Sequence, residues 1–428
     1  MNTKYYILVL LNLIVLSPFS YTQGLFKVEG QVIDSKTKNP LEYATISLKE
    51  GFIGTISNKQ GLFCLYIPDS LVNSATLEVN YLGYYSFQMN LYDFKKDGKN
   101  TLALKEKVNE IKEVIIKPLT PLQIVTKSLE YYDTFYSTKP YIIKGFYMEE
   151  IKENGKYIDY KEAYVDLYNP SNTDTAKSLA CLHQVRTRDD LAQMQFLSRY
   201  SEQKHEKSLK KSNRKGEDID TNQSQALQIM FGGPQSIPSD DLIKNIRNYY
   251  NKKNIKHFIL SFEPNTIYSG REIYVIRCIS TKPLDNTLID AKLFIDCASF
   301  ALIAVKSKSE ITIPALAKPL LALFRIEVDK LLIQHNTEYK LINETWYPSK
   351  TIVIGYADAT KKYRGKYTEH SILEITKAFV STDFQLDNAV PFRADQILQD
   401  NSIEKELQNY DPEFWKNKNR ISYKIESL

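Results

Sequence analysis

Cysteine, histidine and glycine are scarce in this 428-residue sequence, and neither sign of charge dominates it. The four cysteines, Cys64, Cys181, Cys278 and Cys297, never form a Cys-x-x-Cys, which leaves no zinc ribbon and no thioredoxin-like redox pair. Five histidines are scattered at 183, 205, 257, 335 and 370, too few and too dispersed to announce a catalytic set. With 15 glycines the chain has no Gly-x-Ser-x-Gly elbow, no Gly-x-x-x-x-Gly-Lys and no Gly-x-Gly-x-x-Gly. Serine hydrolase, phosphate-loop and dinucleotide chemistries therefore lack their signal. Lysine and arginine number 56 against 51 acidic residues, a net +5, and that near balance argues against a nucleic-acid partner.

Long apolar runs are also missing, save one near the start. Lys4 precedes an almost wholly apolar stretch from Tyr5 to Leu16, followed by Ser17-Pro18-Phe19-Ser20 and a polar Tyr21-Thr22-Gln23. The run is shorter than the ~20 residues a membrane span needs, and it reads as a secretory leader over residues 1–23. Cleavage is expected between Ser20 and Gly24. The first cysteine is Cys64, so no lipid-bearing cysteine follows the cut, and the mature chain is expected to carry no transmembrane helix.

What is present is alternation. Phe26, Val28, Gly30 and Val32 share one face of an extended segment. The same period of two recurs at Ala44, Ile46 and Leu48, at Phe63, Leu65 and Ile67, at Leu77, Val79 and Tyr81, and from Tyr85 to Leu91. Asn, Asp, Gly, Ser or Pro separate these runs, with Pro40, Gly61 and Gly83 at turns. The pattern predicts a small antiparallel sandwich. Gly30-x-Val32-x-Asp34, Lys38-Asn39-Pro40-Leu41, Gly54-Thr55-x-Ser57-Asn58-x-x-Gly61-x-Phe63 and Val79-x-Tyr81-Leu82-Gly83-Tyr84 resemble the carboxypeptidase-regulatory-like domain. That domain is a transthyretin-like β-sandwich found at the N-termini of exported envelope proteins of Gram-negative bacteria. The resemblance spans residues 26–117 and departs at Gln60, where the family more often has Asp or Asn. It implies a fold and a compartment, periplasm or outer membrane, and no catalysis. Residues 24–117 are expected to fold alone.

Ile111 to Pro118 looks like the connector that precedes the plug of TonB-dependent receptors, but no plug follows, and a chain of this length is too short for a roughly 22-stranded transporter barrel. Thr120-Pro121 reads as an N-cap and first helical residue, and Leu122, Val125, Leu129 and Tyr132 continue a helix of about four turns. Strand signals then dominate residues 118–400, interrupted by a polar insertion at 169–225 with a basic run from Lys204 to Lys215. A second helix is expected after Ser239-Asp240-Asp241, carrying Leu242, Ile243, Ile246 and Tyr249. The meander that follows contains Ala291 to Asp296, Phe300 to Val305 and Trp346-Tyr347-Pro348-Ser349-Lys350, which resemble elements of lipoprotein-carrier (Lol-type) half-barrels. The same stretch, with Lys144-Gly145-Phe146-Tyr147, Gly232-Gly233-Pro234 and Tyr410 to Trp415, is similar to the body of uncharacterised exported proteins carrying this sandwich. The expected architecture is mainly β: the transthyretin-like sandwich, then a larger antiparallel half-barrel domain with a few helices, and a C-terminal tail at 401–428.

Few residues invite chemistry. His335-Asn336-Thr337-Glu338 fits the His-x-x-Glu of a carboxypeptidase zinc site, but Asn336-Thr337 reads as a hairpin turn between Leu331 and Ile342. Asp240 and Asp241 could form a carboxylate pair, although helix capping accounts for them. Gly232-Gly233-Pro234 could aim backbone amides at a ligand or simply lead tightly into a helix. Trp346, Tyr347, Phe414 and Trp415 are expected as packing anchors, with Trp346, Ile352 and Ile354 sharing one face of a strand. Cys278 and Cys297 flank a hairpin whose register, centred near residue 286, sets Cys297 opposite about residue 275, which disfavours a disulfide. No cofactor, metal ligand or catalytic residue is assigned. Three functions remain: a non-enzymatic envelope module binding an apolar ligand or a protein partner, a structural part of an outer-membrane complex, or a peptidase or glycan hydrolase built from His335, Glu338, Asp240 and Asp241. An open apolar cavity in the half-barrel would favour the first, and a solid core the second.

Overall fold

The computed structural model describes residues 24–49, 53–94, 100–107, 119–171, 178–196, 233–315, 318–363, 367–398, 403, 410–416 and 418. The leader, the connector at Ile111 to Pro118, the basic run Lys204 to Lys215 and Gly232 lie outside the described residues. The protein is mainly β, with a small N-terminal two-sheet unit and one large antiparallel sheet.

The N-terminal unit holds β1 (Leu25–Asp34), β2 (Thr45–Leu48), β3 (Gly54–Ile56), β4 (Leu62–Pro68), β5 (Thr76–Asn80), β6 (Phe87–Asn90) and β7 (Asn100–Leu104). One sheet has the order β4-β1-β7 and the other β3-β2-β5-β6. The alternating residues Val28, Val32, Ile46, Phe63, Leu65, Ile67, Leu77 and Val79 meet between them as one buried core. One expectation fails: β7 runs parallel to β1. The chain reaches β7 from the opposite sheet, so no hairpin dictates its direction. The turn at Gln60 is made by its neighbour, since Asn58 Oδ1 accepts from the amides of Gln60 and Leu62, both at 2.9 Å. Gly61 has φ of 72°, and a Cβ there would stand 2.4 Å from the Val32 carbonyl oxygen, so only glycine fits.

The larger sheet contains β8 (Tyr141–Glu153), β9 (Lys156–Asn169), β10 (Leu179–Thr187), β11 (Phe258–Tyr268), β12 (Arg271–Ser280), β13 (Thr287–Asp296), β14 (Leu302–Ile311), β15 (Ile326–Ile342), β16 (Thr345–Lys362) and β17 (Thr368–Gln385). Its order is β10-β9-β8-β17-β16-β15-β14-β13-β12-β11, a continuous meander from β11 to β17 with β8 to β10 added beyond. Asn154-Gly155 turns the β8–β9 hairpin with positive φ at both residues, and Asn343-Glu344 does the same between β15 and β16. Two expectations about strands are corrected. Within the polar insertion, Leu179–Thr187 is a strand paired to β9, because Ala180 and Val185 reach a buried cluster. Asn336-Thr337 is not a turn: β15 runs unbroken through it, held on both sides by β14 and β16.

Helix α1 (Pro121–Glu130) begins with a capping box between Thr120 and Gln123 and ends about a turn earlier than its periodicity suggests, followed by a separate α2 (Tyr132–Phe135). The second expected helix is shortened to α4 (Ile246–Tyr249), preceded by a separate short α3 (Ile237–Asp240), because Asp241 Oδ1 accepts from the amides of Ile243 and Lys244 in a turn. Ile124, Val125, Tyr132, Tyr136, Ile243 and Ile246 pack with Leu293, Ile295, Ile303, Val305, Tyr339 and Trp346 on one face of the sheet.

No disulfide joins any of the four cysteines. Cys278 pairs across the hairpin with Ala291 and Asp296 with Ile273, so Cys297 sits beyond reach, three residues off the expected register. Burial pushes the Cys278 thiol up to about 12. A maleimide at pH 8 should therefore leave Cys278 unlabelled in the native protein and label it after denaturation. Peptide mass mapping checks this, and native labelling at the rate of half-exposed Cys181 would overturn it.

Candidate functional site

Strand parity assigns the two faces of the large sheet. Directly paired residues on antiparallel strands project to the same side. Arg277, Lys292, Lys306, Asn336, Ile352, Ala378, Met148 and Glu162 form one row across eight strands, and their neighbours at even spacing share that face. The sandwich sits on it. Tyr43 and Ile56 of the sandwich join Phe146, Met148, Tyr160, Tyr164, Ile352, Ala378, Val380 and Trp415 in one core cluster. Lys59 pairs with buried Glu150 at 3.3 Å, and Lys350 Nζ donates to the Tyr43 carbonyl at 2.7 Å. Tyr43 has φ of 59°, an uncommon conformation for a bulky residue, which accompanies its carbonyl's contact with Lys350.

Beside this contact the two units leave an open cleft of about 470 Å³. The sandwich contributes Glu42, Tyr43 and Tyr81, and the sheet contributes residues from β13, β14, β15 and β16. Asp290, Lys292, Phe294, Lys306, Lys308, Gln334, Asn336, Ile352 and Ile354 share the face turned to the sandwich. Ser307 and His335, which also border the cleft, have the opposite parity.

Several charges around the cleft are matched, while Glu42, Lys306 and Lys308 of its lining have no ion pair among the described residues. Lys292 pairs with Glu263 at 2.6 Å, Arg277 pairs with Asp290 at 2.7 Å, and Lys350 pairs with Glu338 at 2.9 Å. Lys306 differs. Among the described residues its side chain makes no ion pair or hydrogen bond. Its ammonium lies 5.5 Å from the Tyr81 ring centre and 6.0 Å from that of Phe294. Burial holds its pKa below the usual lysine value; nearby Glu338 and Glu42 oppose that shift, while Lys350 and Lys292 reinforce it. Directly across from Lys306 in the ladder stands Asn336, whose side-chain oxygen is buried without a hydrogen-bond partner among the described residues.

The four residues of the imagined hydrolase are divided among three places. Glu338 lies on the sandwich-covered face with Lys350, within 3.5 Å of the Tyr268 hydroxyl. His335, three positions along the same strand, projects to the other face, where burial lowers its pKa, Asp240 opposes that and Lys377 adds to it. Asp240 pairs with Lys377 and is not a cap. Asp241 is buried, accepts the Tyr339 hydroxyl at 2.7 Å, and is pushed upward by burial against its hydrogen bonds. Among the described residues no three His, Cys, Asp or Glu gather closely enough to hold a metal.

The remaining candidates are packing elements. Gly233 has positive φ and its carbonyl accepts from Ser236, which makes the loop a tight lead-in to α3. Trp415 is buried against Tyr164 beneath the Arg186 guanidinium. Trp346 is buried, but it does not share a face with Ile352. The β15–β16 register slips between Glu338 and Tyr339, adding one residue at Ser349, so Trp346 faces Tyr136 and Tyr339 while Ile352 faces the sandwich. A second opening, about 550 Å³, lies among residues 133–139, Asn343, Thr345, Tyr347 and residues 384–387 at one end of the sheet, and its lining is mixed. Lys306 and Asn336 were missed in the sequence because an alternating charged face reads as a solvated one.

Residues 28–116 match the family model described as a CarboxypepD_reg-like domain. No curated protein matches the chain. Among solved structures, it is similar to an outer-membrane lipoprotein-sorting protein domain from Vibrio parahaemolyticus at 9% identity and TM-score 0.23, covering 64% of this chain and 95% of that one. A protein from Bacteroides fragilis described as membrane-associated and of unknown function matches at 10% identity and TM-score 0.16, with coverage of 84% and 98%. A DUF1329 family protein from Desulfovibrio piger matches at 8% identity and TM-score 0.21, with coverage of 64% and 96%. Likenesses at these scores place no constraint on function. Among the described residues no helix is long and apolar enough to cross a membrane.

Proposed function

We propose that this chain is an exported, non-enzymatic binding protein of the cell envelope, and that its ligand site is the cleft between the sandwich and the large sheet. The observation that carries the reading is the cleft itself: about 470 Å³ of open space, within the range of small-molecule sites, walled by both units and floored by an unpaired lysine. The leader-like residues 1–23 support export, and the carboxypeptidase-regulatory-like sandwich supports an envelope setting. On the opposite face the core is filled by α1, α2 and α4, with Tyr339 at 0% and Trp346 at 3% exposure, so an apolar ligand has no comparable room at Trp346.

Ile354 lines the cleft and is only partly buried, at the margin of the cluster around Ile352, so Ile354→Trp should fill cleft space while leaving the centre of that cluster in place. Binding of an environment-sensitive naphthalene sulfonate dye should fall about tenfold or more in this variant, with little change in melting temperature. Equal dye binding by both proteins would remove the cleft as the site and favour the alternative of an interaction scaffold.

A further inference from the structure

This inference rests on the cleft being the ligand site and names what that site takes. We propose that it binds an aliphatic carboxylate, a fatty-acid-like molecule whose carboxyl group pairs with Lys306 and whose chain lies against Tyr81, Phe294, Ile352 and Ile354.

The charge pattern sets the head group. Lys292, Arg277 and Lys350 already have carboxylate partners, whereas Lys306, Lys308 and Glu42 of the lining have no ion pair among the described residues, so these three together leave one positive charge in excess. One ammonium balances a monoanion. A phosphate dianion calls for more, commonly an arginine fork or a ring of backbone amides, and both arginines of the neighbouring β12 are taken, Arg271 by Asp296 and Arg277 by Asp290 in two hydrogen bonds of 3.0 and 2.7 Å. Asn336 supplies the second polar contact. Its amide oxygen makes no hydrogen bond, so a half-turn of the amide gives up nothing at that atom and can aim its NH2 at the second carboxylate oxygen. Half-buried Tyr81 and Ile354, backed by the buried Phe294 and Ile352, then offer the apolar wall that a small anion such as acetate would leave unused.

Lys306 is half-buried at the cleft floor with no carboxylate paired to it, so stability alone gives little reason for a lysine there. A poorly solvated ammonium without a partner destabilises a fold, and an apolar residue of similar length relieves that strain. Lys306→Met should therefore melt at the same temperature as the parent or higher, while losing ligand. That opposition separates a binding role from a structural one.

The test titrates decanoate, decanol, decylammonium and acetate into the full mature chain, its Lys306→Met and Lys306→Arg variants, and Ile354→Trp, by calorimetry and thermal melts. Decanoate is expected to bind the parent at least about tenfold more tightly than decanol, with decylammonium and acetate weaker still. Lys306→Met should bring decanoate down to the decanol level, and Lys306→Arg should retain most of the difference. Equal binding of decanoate and decanol, untouched by Lys306→Met, overturns the carboxylate proposal and leaves the cleft as a site for neutral ligands. Dye binding that depends on Ile354 without any decanoate binding also overturns the proposal while the cleft stands. Loss of Ile354 dependence for every probe removes the cleft as well.

Discussion

Lys350→Met is expected to lower the unfolding free energy by about 3–5 kcal/mol, the range seen when one partner of a buried ion pair is removed. The Lys350 and Glu338 side chains are 2% and 5% exposed, so neither charge has water to fall back on. Without Lys350, Glu338 keeps, among the described residues, the Tyr268 hydroxyl at 3.5 Å, and the Tyr43 carbonyl loses its hydrogen bond from the sheet. The loss should also loosen the sandwich from the sheet. Urea melts followed by far-ultraviolet dichroism measure the first effect, and the rate of protease cutting between the two units measures the second. Lys350→Met combined with Glu338→Met should recover much of the loss, since an apolar pair leaves no charge stranded. A loss below about 1 kcal/mol would show that Glu338 finds another cation, as a surface pair would allow. Lys306, which already feels the Glu338 charge, is a candidate, and its capture would cost the cleft that unpaired charge.

Trp346→Ala should cost a similar amount, about 3–5 kcal/mol, by a different route: the loss of a large buried ring and the cavity left behind. Trp346 is 3% exposed, packs with Tyr136 and Tyr339, and belongs to the cluster that fixes the helices to the sheet. Tyr136 bridges the same layer, its hydroxyl donating to the Leu302 carbonyl at 2.6 Å. Because Trp346 and the cleft lie on opposite faces, the variant should still bind cleft ligands at temperatures where it remains folded. Calorimetric melts and a titration at low temperature separate the two effects. A small loss of stability joined to a large loss of binding would place the ligand on the helix-covered side instead.

Much of this fold was legible because strands announce themselves by period two. The sandwich core from Val28 to Val79 and the helix N-cap at Thr120 both follow from local chemistry. The errors arose where tertiary pairing overrides a local signal. Asn336-Thr337 looks like a turn in isolation, yet neighbours on both sides hold it extended. The bulge at Ser349 reverses the parity between Trp346 and Ile352, and no residue type there marks it. The cleft was the least legible feature, since Lys292, Lys306 and Lys308 form a charged stripe whether water or a second unit covers them. The docking of Tyr43 and Ile56 beside it turns that stripe into one wall of a cleft.

The open order of the large sheet carries a consequence for self-association. An unclosed sheet ends in two strands whose outer amides and carbonyls can template a second copy. Here the two ends, β10 and β11, are guarded differently. Along β10, the Leu398 amide donates to the Ala180 carbonyl at 2.8 Å and Ile397 bridges Cys181, so a returning segment already occupies part of that edge. Strand β11 carries Pro264 inside the irregularity between Glu263 and Thr266, which deletes a donor and kinks the strand where a flat partner would need continuity. A chain whose 397–398 segment lifted away would offer β10 to its neighbours, whereas β11 discourages such pairing through its own backbone.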